Sequence, residues 1–411
     1  CWGSYGDLFP YLAIAIALRD LGHTPVVVSC PVYRELVEQE GIAFAPLRPD
    51  VRPDDTTLLR KLMDARRGTE AIVKDLLAPF VRQSYDDITA AAAGADVLVG
   101  HPVVFAGPLV AGRLGLPWLS SVLAPTSFFS AYDFPALPNA PWMVRVTALG
   151  PWPGRVLMAL VHRITRSWVA PVVALREELG LPPAPHPLFA GQFSPFANLA
   201  LFSHQLGDPQ RDWPARTQVT GFPFYNRAIP MSAEVSAFLD AGEPPVVFTL
   251  GSAAVSAAGS FYDESARAVA ALGCRAVLLV GRHPENIPAH VPAGTLIVDS
   301  APHEELFPRA SVVVHQGGAG TTGQAMRSGR PQLVVPHAHD QPDNAHRVMR
   351  RGIAKVLSPT RYKAARVAHE LHALIVDSRT AVRADEVGRQ VRAEAGAEAA
   401  AAAILETIGA R

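Results

Sequence analysis

The densest chemistry in the chain lies in residues 315–346, HQGGAGTTGQAMRSGRPQLVVPHAHDQPDNAH. A short apolar run, Ser311 to Val314, predicts a strand that ends at His315. Gly317, Gly318 and Gly320 predict a tight turn, and Thr321 and Thr322 open a predicted helix. That order builds an anion site, because free N–H groups and the positive end of the helix dipole meet at the helix start. Glycines let the backbone approach a phosphate without a side chain in the way. His315 and the threonines would add side-chain donors. A second strand run, Gln332 to Val335, then delivers Asp340 and Gln341. A carboxylate beside an amide suits sugar hydroxyls, although Asp340 could instead cap a helix, since Pro342 follows where a first-turn proline is favoured. A diphosphate cradle beside a hydroxyl-reading pair points to a nucleotide-sugar.

A second group of candidates lies towards the other end. Asp7, in GSYGDLFP, heads a predicted helix after a glycine turn. It could simply satisfy the helix start, or serve as a general base. An ordinary carboxylate, with a pKa near about 4, is a weak base for an alcohol, and burial would strengthen it. His101, in the GHP run after Val99, is the rival base or else a strand-end histidine lining a pocket. Ser252, in FTLGS, closes a predicted strand and reads both as a helix cap and as a phosphate neighbour. Phe105, Phe128, Phe129 and Tyr132 could be core, or the wall of a flat apolar pocket. Arg145, Arg155, Arg163 and Arg166 lie among apolar residues, as on a helix docked to a membrane surface or, the favoured reading, on a solvated helix face.

These residues need elements to hold them. Gly6 to Gly22 has apolar residues at helical spacing, and Pro25 to Ser29 reads as a strand. Helix and strand patterns then alternate: Tyr33–Glu40, Phe80–Ala93, Val97–Val99, Ala106–Leu114, Trp118–Leu123. Residues 124–160 break the pattern and are rich in Pro, Phe, Tyr and Trp; 161–180 read as a helix. Gly221 to Pro245 reads as a loop-like linker. A second alternating series has strands at Val246–Leu250, Ala276–Val280, Leu296–Val298, Ser311–Val314 and Gln332–Val335. Alternation of this kind predicts an α/β fold of two doubly wound parallel sheets in tandem. The tail, Arg383 to Ile408, reads as one long helix. The chain starts at Cys1, already at the glycine turn, so a first strand is expected to be missing from it.

Composition narrows the function classes. The chain has 411 residues, enough for two cores, with 37 basic and 37 acidic side chains. That balance favours neither nucleic acid nor a polyanionic partner. Three scattered cysteines, Cys1, Cys30 and Cys274, do not make a disulfide framework and fit a reducing cytoplasm. No run of about 20 apolar residues suggests a membrane span, nor is there a signal-peptide pattern. Paired Cys/His spacing and a D-x-D pair at a strand end are lacking, so no metal and no resident cofactor are expected.

The block at 315–346 resembles the donor signature of the family 1, GT-B-fold nucleotide-sugar glycosyltransferases. The opening WGSYGDLFPYLAIAIALRDLGHTPVVVS resembles the GS-x-GD-x-x-P start of bacterial members that act on macrolides, glycopeptides, polyketides and flavonoids. The resemblance implies two Rossmann-like domains facing across a cleft: 1–222 for the acceptor, 223–245 as linker, 246–382 for the donor, and a 383–411 helix that crosses back. It implies an inverting hexosyltransferase that moves a sugar from UDP or dTDP to a hydroxyl of a lipophilic small molecule, some relatives using dTDP-rhamnose. Relatives carry a catalytic His near the first turn, where members of this type carry Asp, and so Asp7 becomes the base with His101 as the alternative. Ser252, His315, Gly317, Gly318, Gly320 and Thr321 fall to the diphosphate, Asp340 and Gln341 to the sugar, and Arg282, Ala301 and His303 to the nucleoside. His303 departs from the pattern, since relatives have Pro-Gln there after a Trp that stacks on the base, and Ala301-Pro302 stands in its place. Within this framework the expected partners are the donor and the acceptor, with no nucleic acid, no integral membrane association, and a monomer or weak homodimer. A membrane-associated sterol or glycolipid glycosyltransferase and a non-catalytic nucleotide-sugar-binding protein remain alternatives. A sugar 2-epimerase is disfavoured by the apolar first half.

Overall fold

In the computed structural model, residues 1–51, 55–138, 140, 142–226 and 230–409 are described. They form two compact units: Cys1–Leu62 with Arg66–Tyr225 and Glu394–Arg411, and Met63–Ala65 with Asn226–Ala393.

The first unit carries strands β1 (Val26–Ser29), β2 (Ala43–Pro46), β3 (Leu98–Gly100), β4 (Trp118–Val122), β5 (Ala197–Ala200) and β6 (Thr217–Val219). β1 and β2 pair in parallel, and β3-β4-β5-β6 form a separate parallel sheet. Parallel neighbours need crossovers: helix Arg34–Gln39 links β1 to β2 and Gly107–Leu114 links β3 to β4, while Tyr5–Asp20 and Val81–Ala91 precede β1 and β3. Leu8 and Leu12 of the first helix pack with Val27, Val37, Leu109 and Val110 in one core. Tyr11 and Ile14, on its other side, pack with Leu119, Leu199 and Leu201.

The second unit carries β7 (Val246–Thr249), β8 (Ala276–Leu279), β9 (Thr295–Val298), β10 (Val312–His315), β11 (Gln332–Val334) and β12 (Ala354–Val356). They form one parallel sheet in the order β12-β11-β10-β7-β8-β9. β7, β8 and β10 are buried on both faces, which is why their sequences are unbroken apolar runs rather than alternating ones. The chain order reverses between β7 and β10. In an open α/β sheet the loops leaving the carboxyl ends at that reversal diverge and leave a crevice for a ligand.

Several elements depart from the sequence reading. Residues 230–245 are not all loop, because Ser232 caps a helix, Ala233–Asp240, whose Val235 and Leu239 join the core of the second unit. A helix starts at Pro151 inside the supposed break, with Pro151 and Pro153 in the first turn, where proline is tolerated. It ends at Thr165, and a second helix, Ala170–Glu178, follows at a bend of 71°. Short strands β2, β5, β6 and β12 carry too few residues to show a period. The tail is two helices. Ser378–Arg392 lies in the second unit, where Gly388 sits so close to Gly329 that an added Cβ would meet its Cα at 2.6 Å. Gly396–Gly409 lies in the first unit, with Ala400, Ala403 and Ile404 packed on Tyr11 and Ile14.

Candidate functional site

In the second unit, the two loops at the chain reversal touch. Gly251, after β7, has φ +63°, and an added Cβ there would run into the Gln316 amide and come within 3.3 Å of Thr321 Oγ1. Gln316, after β10, donates from Nε2 to Thr321 Oγ1 at 3.3 Å. Gly317 has φ +90°, and its Cβ would meet Val334 and the Gln341 carbonyl, so this turn requires glycine. Gly318, at φ −61°, needs no such freedom but has no space for a Cβ beside the Gln316 amide. Helix Ala319–Ser328 starts there with no side-chain cap. Its first N–H groups and dipole therefore face the crevice and favour an anion. Gln316 Oε1 and Thr322 Oγ1 are buried and lack a hydrogen-bond partner among the described atoms. Buried polar groups in that condition at a ligand crevice are ready to bind something. Ser252 is exposed in the short Gly251–Ala254 helix and is not its cap, a position held by Leu250.

His315 is placed differently from the expectation that its side chain donates to a diphosphate. It is fully buried. Its Nε2 pairs with Gln332 Oε1 at 3.0 Å, and its Nδ1 accepts the Gly317 N–H at 3.1 Å. With both nitrogens engaged inside the protein, the ring braces the glycine turn. Burial lowers its pKa to about 4, so the imidazole is neutral. Gln332, not singled out in the sequence, is the residue that fixes its tautomer, with Nε2 carrying the proton.

The sugar pair also divides its work. Gln341 is buried, and its Oε1 accepts the N–H groups of His337 and Ala338 at 2.8 and 3.1 Å, so it holds the preceding loop and is not a bare sugar-reading amide. Asp340 precedes helix Gln341–Arg350 without a side-chain capping bond. Its Oδ2 instead accepts from Asn344 Nδ2 at 2.7 Å, and the same amide donates to the Gly317 carbonyl at 2.9 Å. Asn344 thus ties the acidic residue to the glycine turn. Its spacing of four from Asp340 was the signal that could have shown it. His339 has φ +58°, a left-handed conformation uncommon outside glycine, right beside Asp340. His303 stacks on Phe307 at 4.3 Å, and burial followed by the nearby His315 lowers its pKa to about 4. Ala301 packs partly buried against the Val247–Phe307 core, while Arg282 is exposed after β8.

In the first unit, the two rival bases are neighbours. Ser4 caps helix Tyr5–Asp20, and Asp7 returns the bond: its Oδ2 accepts Ser4 N–H at 2.7 Å and Ser4 Oγ–H at 3.1 Å. Its Oδ1 lies 3.6 Å from His101 Nε2. One oxygen of the carboxylate thus serves the helix cap and the other faces His101. Gly3, at φ +138°, leaves room for that carboxylate, which any Cβ there would strike. Burial raises the Asp7 pKa above its ordinary 3.8. Burial lowers that of His101 to about 3. The His101 Nδ1 is buried and lacks a hydrogen-bond partner among the described atoms. Tyr11 meets the His101 ring edge-on at 6.0 Å and fixes its own hydroxyl on Ser121 Oγ at 2.7 Å.

His101 also lines a pocket walled by Pro102, Phe105, Leu109, Val172, Leu181 and a run of prolines around Pro185. Of the aromatic candidates, only Phe105 belongs to it. Phe128 is core instead, stacked on Trp213 at 3.9 Å and on Phe193 at 5.6 Å. Phe129, at φ +47°, meets Phe189 edge-on, and Tyr132 is exposed under Arg155. Phe128 and Phe129 of the Pro-rich stretch therefore pack on aromatics of residues 189–213 and do not line the pocket.

With these sites in view, comparison with known proteins decides the family. Along 98% of its length the chain is 34% identical to O-mycaminosyltylonolide 6-deoxyallosyltransferase of Streptomyces fradiae, 95% of which is covered. The chain belongs to the family 1 glycosyltransferases. Residues 266–410 match the family described as erythromycin biosynthesis protein CIII-like, C-terminal domain. The glycosyltransferase of kitacinnamycin has the same fold, with a TM-score of 0.74 and 21% identity over 99% of this chain and 97% of that one. So does the glycosyltransferase VinC, solved in complex with dTDP, with a TM-score of 0.70 and 20% identity over 100% and 98%. The fold of this glycosyltransferase is GT-B.

Proposed function

We propose that this glycosyltransferase moves a hexosyl group, with inversion, from a dTDP- or UDP-sugar to a hydroxyl of a lipophilic natural product. The observation that carries this reading is the Asp7–His101 pair, whose histidine lines the apolar pocket. The acceptor oxygen attacks the anomeric carbon and forms the new glycosidic bond. The bond from that carbon to the diphosphate oxygen breaks, and the nucleoside diphosphate leaves with the electron pair. The hydroxyl proton passes to the Asp7–His101 pair. A neutral imidazole beside a carboxylate can take that proton as the two close up in the reacting complex, because the carboxylate then stabilises the imidazolium. The uncapped start of helix Ala319–Ser328, with Ser252, Thr321 and Thr322, takes the leaving diphosphate, and Asp340, held by Asn344, takes sugar hydroxyls. The dTDP-bound relative supports dTDP as the nucleotide, and the deoxyallosyl-transferring relative supports a deoxyhexose and a macrolide-like acceptor.

The deciding experiment is a panel of dTDP- and UDP-sugars with a macrolide aglycone and a flavonol, read by mass spectrometry for a hexosyl mass increment. Tight donor binding with neither transfer nor slow donor hydrolysis would overturn the enzyme reading in favour of a binding protein.

A further inference from the structure

Helix Pro151–Thr165 turns its apolar residues the wrong way for a soluble surface. Its inner side is set by Gly154, which is buried so tightly against Ala131 and Phe134 that a Cβ would meet both at 3.1 to 3.2 Å. Trp152, Val156, Leu160 and Ile164 recur every four residues and share the opposite side. Trp152 is 73% exposed, and the other three are at least half exposed. Leu149, just before the helix, is 84% exposed, and Trp142 is 59% exposed. A contiguous apolar stripe of this kind marks a contact surface rather than scattered surface leucines.

The charges on this segment of the chain are of one sign, with Asp133 just before it and Glu177 just after it. From Phe134 to Arg176 the sequence has five arginines and no aspartate or glutamate. Arg145, Arg155, Arg163 and Arg166 are exposed; Arg163 falls within the stripe and Arg155 lies at its edge, over Tyr132. In a chain whose formal net charge is zero, that is a local excess, and the negative charge lies elsewhere. A second copy meeting this face through a two-fold axis would set arginines against arginines. An anionic lipid surface answers both features at once: the apolar side chains enter the acyl boundary, tryptophans sit at the headgroup level, and arginines pair with lipid phosphates. No described helix is by itself long and apolar enough to cross a membrane; this helix and Ala170–Glu178 reach that length and apolarity only as a pair bent by 71°.

We propose that the Trp152–Val156–Leu160–Ile164 face, with its flanking arginines, docks this glycosyltransferase on an anionic membrane surface. The solvated-face reading of the arginines therefore describes only half of the helix. The surface lies apart from the Asp7–His101 pair, so its failure would leave the proposed transfer standing.

The test is co-sedimentation of the intact protein with vesicles of phosphatidylglycerol and phosphatidylcholine in equal parts, against pure phosphatidylcholine. Binding to the anionic vesicles is expected, and raising the salt to about 1 M, where screening shortens to about 3 Å, should weaken it at least tenfold. The Leu160→Asp/Ile164→Asp double variant and the Arg163→Glu/Arg166→Glu double variant should each lower the partition coefficient by about 30-fold or more, with transfer to a soluble acceptor unchanged. Tryptophan fluorescence should shift to the blue and be quenched by brominated lipid, and Trp152→Phe/Trp142→Phe should remove that change. Absence of binding to anionic vesicles, or equal binding by correctly folded Leu160→Asp/Ile164→Asp, overturns the proposal. So does a concentration-dependent dimer abolished by the same variant without any vesicle binding, since the face would then belong to a second copy.

Discussion

Asp7 Oδ1 stands 3.6 Å from His101 Nε2, which joins two residues that the sequence offers only as rivals. If they accept one proton between them, neither is dispensable and their effects do not multiply. We predict that Asp7→Asn and His101→Ala each lower kcat by about 10²- to 10⁴-fold, with donor affinity nearly unchanged. The double variant should be about as slow as the slower single one, because groups acting as a unit are not additive. Independent roles would give the product of the two losses. Full activity in either single variant would remove that residue from the chemistry.

The same pair sets a pH dependence. The base must be deprotonated, so kcat/KM falls as pH falls through the pair's pKa. Asp7 is raised above 3.8, and the loss therefore starts at higher pH than an ordinary carboxylate would give. For stability the sign is opposite to that of a salt-bridged acid. A raised folded pKa means that folding opposes ionisation, so the contribution is fully present below 3.8 and is lost as pH rises through the folded value. Asp7→Asn, which keeps an oxygen for the Ser4 N–H, should therefore raise Tm at pH 7 while lowering kcat. An unchanged or lower Tm, measured by calorimetry on both proteins, would contradict the burial argument.

How much of this could be read from residues alone depends on range. The glycine turn was legible because strand, Gly-rich turn and helix are consecutive, and local backbone rules fix them. Asp7 was legible as a helix-head carboxylate for the same reason, since Ser4 lies three residues before it. Its meeting with His101 was not, because β3 and the first helix are brought together by the core formed by Leu8, Leu12, Leu109 and Val110. His315 was legible as a residue of the glycine turn, but its partners inside the protein were not. Residue type shows what an imidazole can do, while Gln332, on the neighbouring strand β11, decides what it is free to do. Phe128 misled because aromatics between prolines can pack on each other, here on Trp213 far along the chain.

That role for His315 can be tested by which nitrogen is imitated. Asn places an oxygen near the position of Nδ1, which accepts the Gly317 N–H, and Gln places its amide nearer Nε2, which faces Gln332. We predict that His315→Asn binds dTDP within about fivefold of wild type, while His315→Gln and His315→Ala lose about 10- to 100-fold, the scale of one to two hydrogen bonds removed from the turn. Isothermal titration with dTDP reads this directly. The reverse order, Gln near wild type and Asn weak, would mean that the ring reaches the diphosphate through Nε2.

Acid stability should report the buried histidines. Burial holds His101 at about 3, and His303 and His315 at about 4. A depressed folded pKa contributes stability that is present above the unfolded value of 6.5 and is lost as pH falls through the folded one. Each such group steepens the loss by about 1.4 kcal/mol per pH unit between those limits. Unfolding at pH 5 should therefore take up about three protons from these side chains alone. His303→Phe keeps the stack on Phe307 and removes one titrating ring, so it should lower the uptake by about one proton. Uptake unchanged by that variant would place His303 in water rather than in the core.

One glycine sets helix propensity against packing. Gly388 lies inside helix Ser378–Arg392, where Ala is better than Gly by about 1 kcal/mol on propensity alone. The added Cβ, however, would stand 2.6 Å from Gly329 Cα and 2.8 Å from its N. Both are backbone atoms at the end of helix Ala319–Ser328, where Gly329 has φ +72°. They cannot rotate away, so the two helices must separate, and overpacking of that kind costs about 1–3 kcal/mol. We predict that Gly388→Ala destabilises the second unit by up to about 2 kcal/mol net in urea denaturation, the balance of the two effects. It should also weaken dTDP binding modestly, because the far end of the displaced helix is the anion site. A stabilised variant would show that propensity wins and that the helices can part without strain.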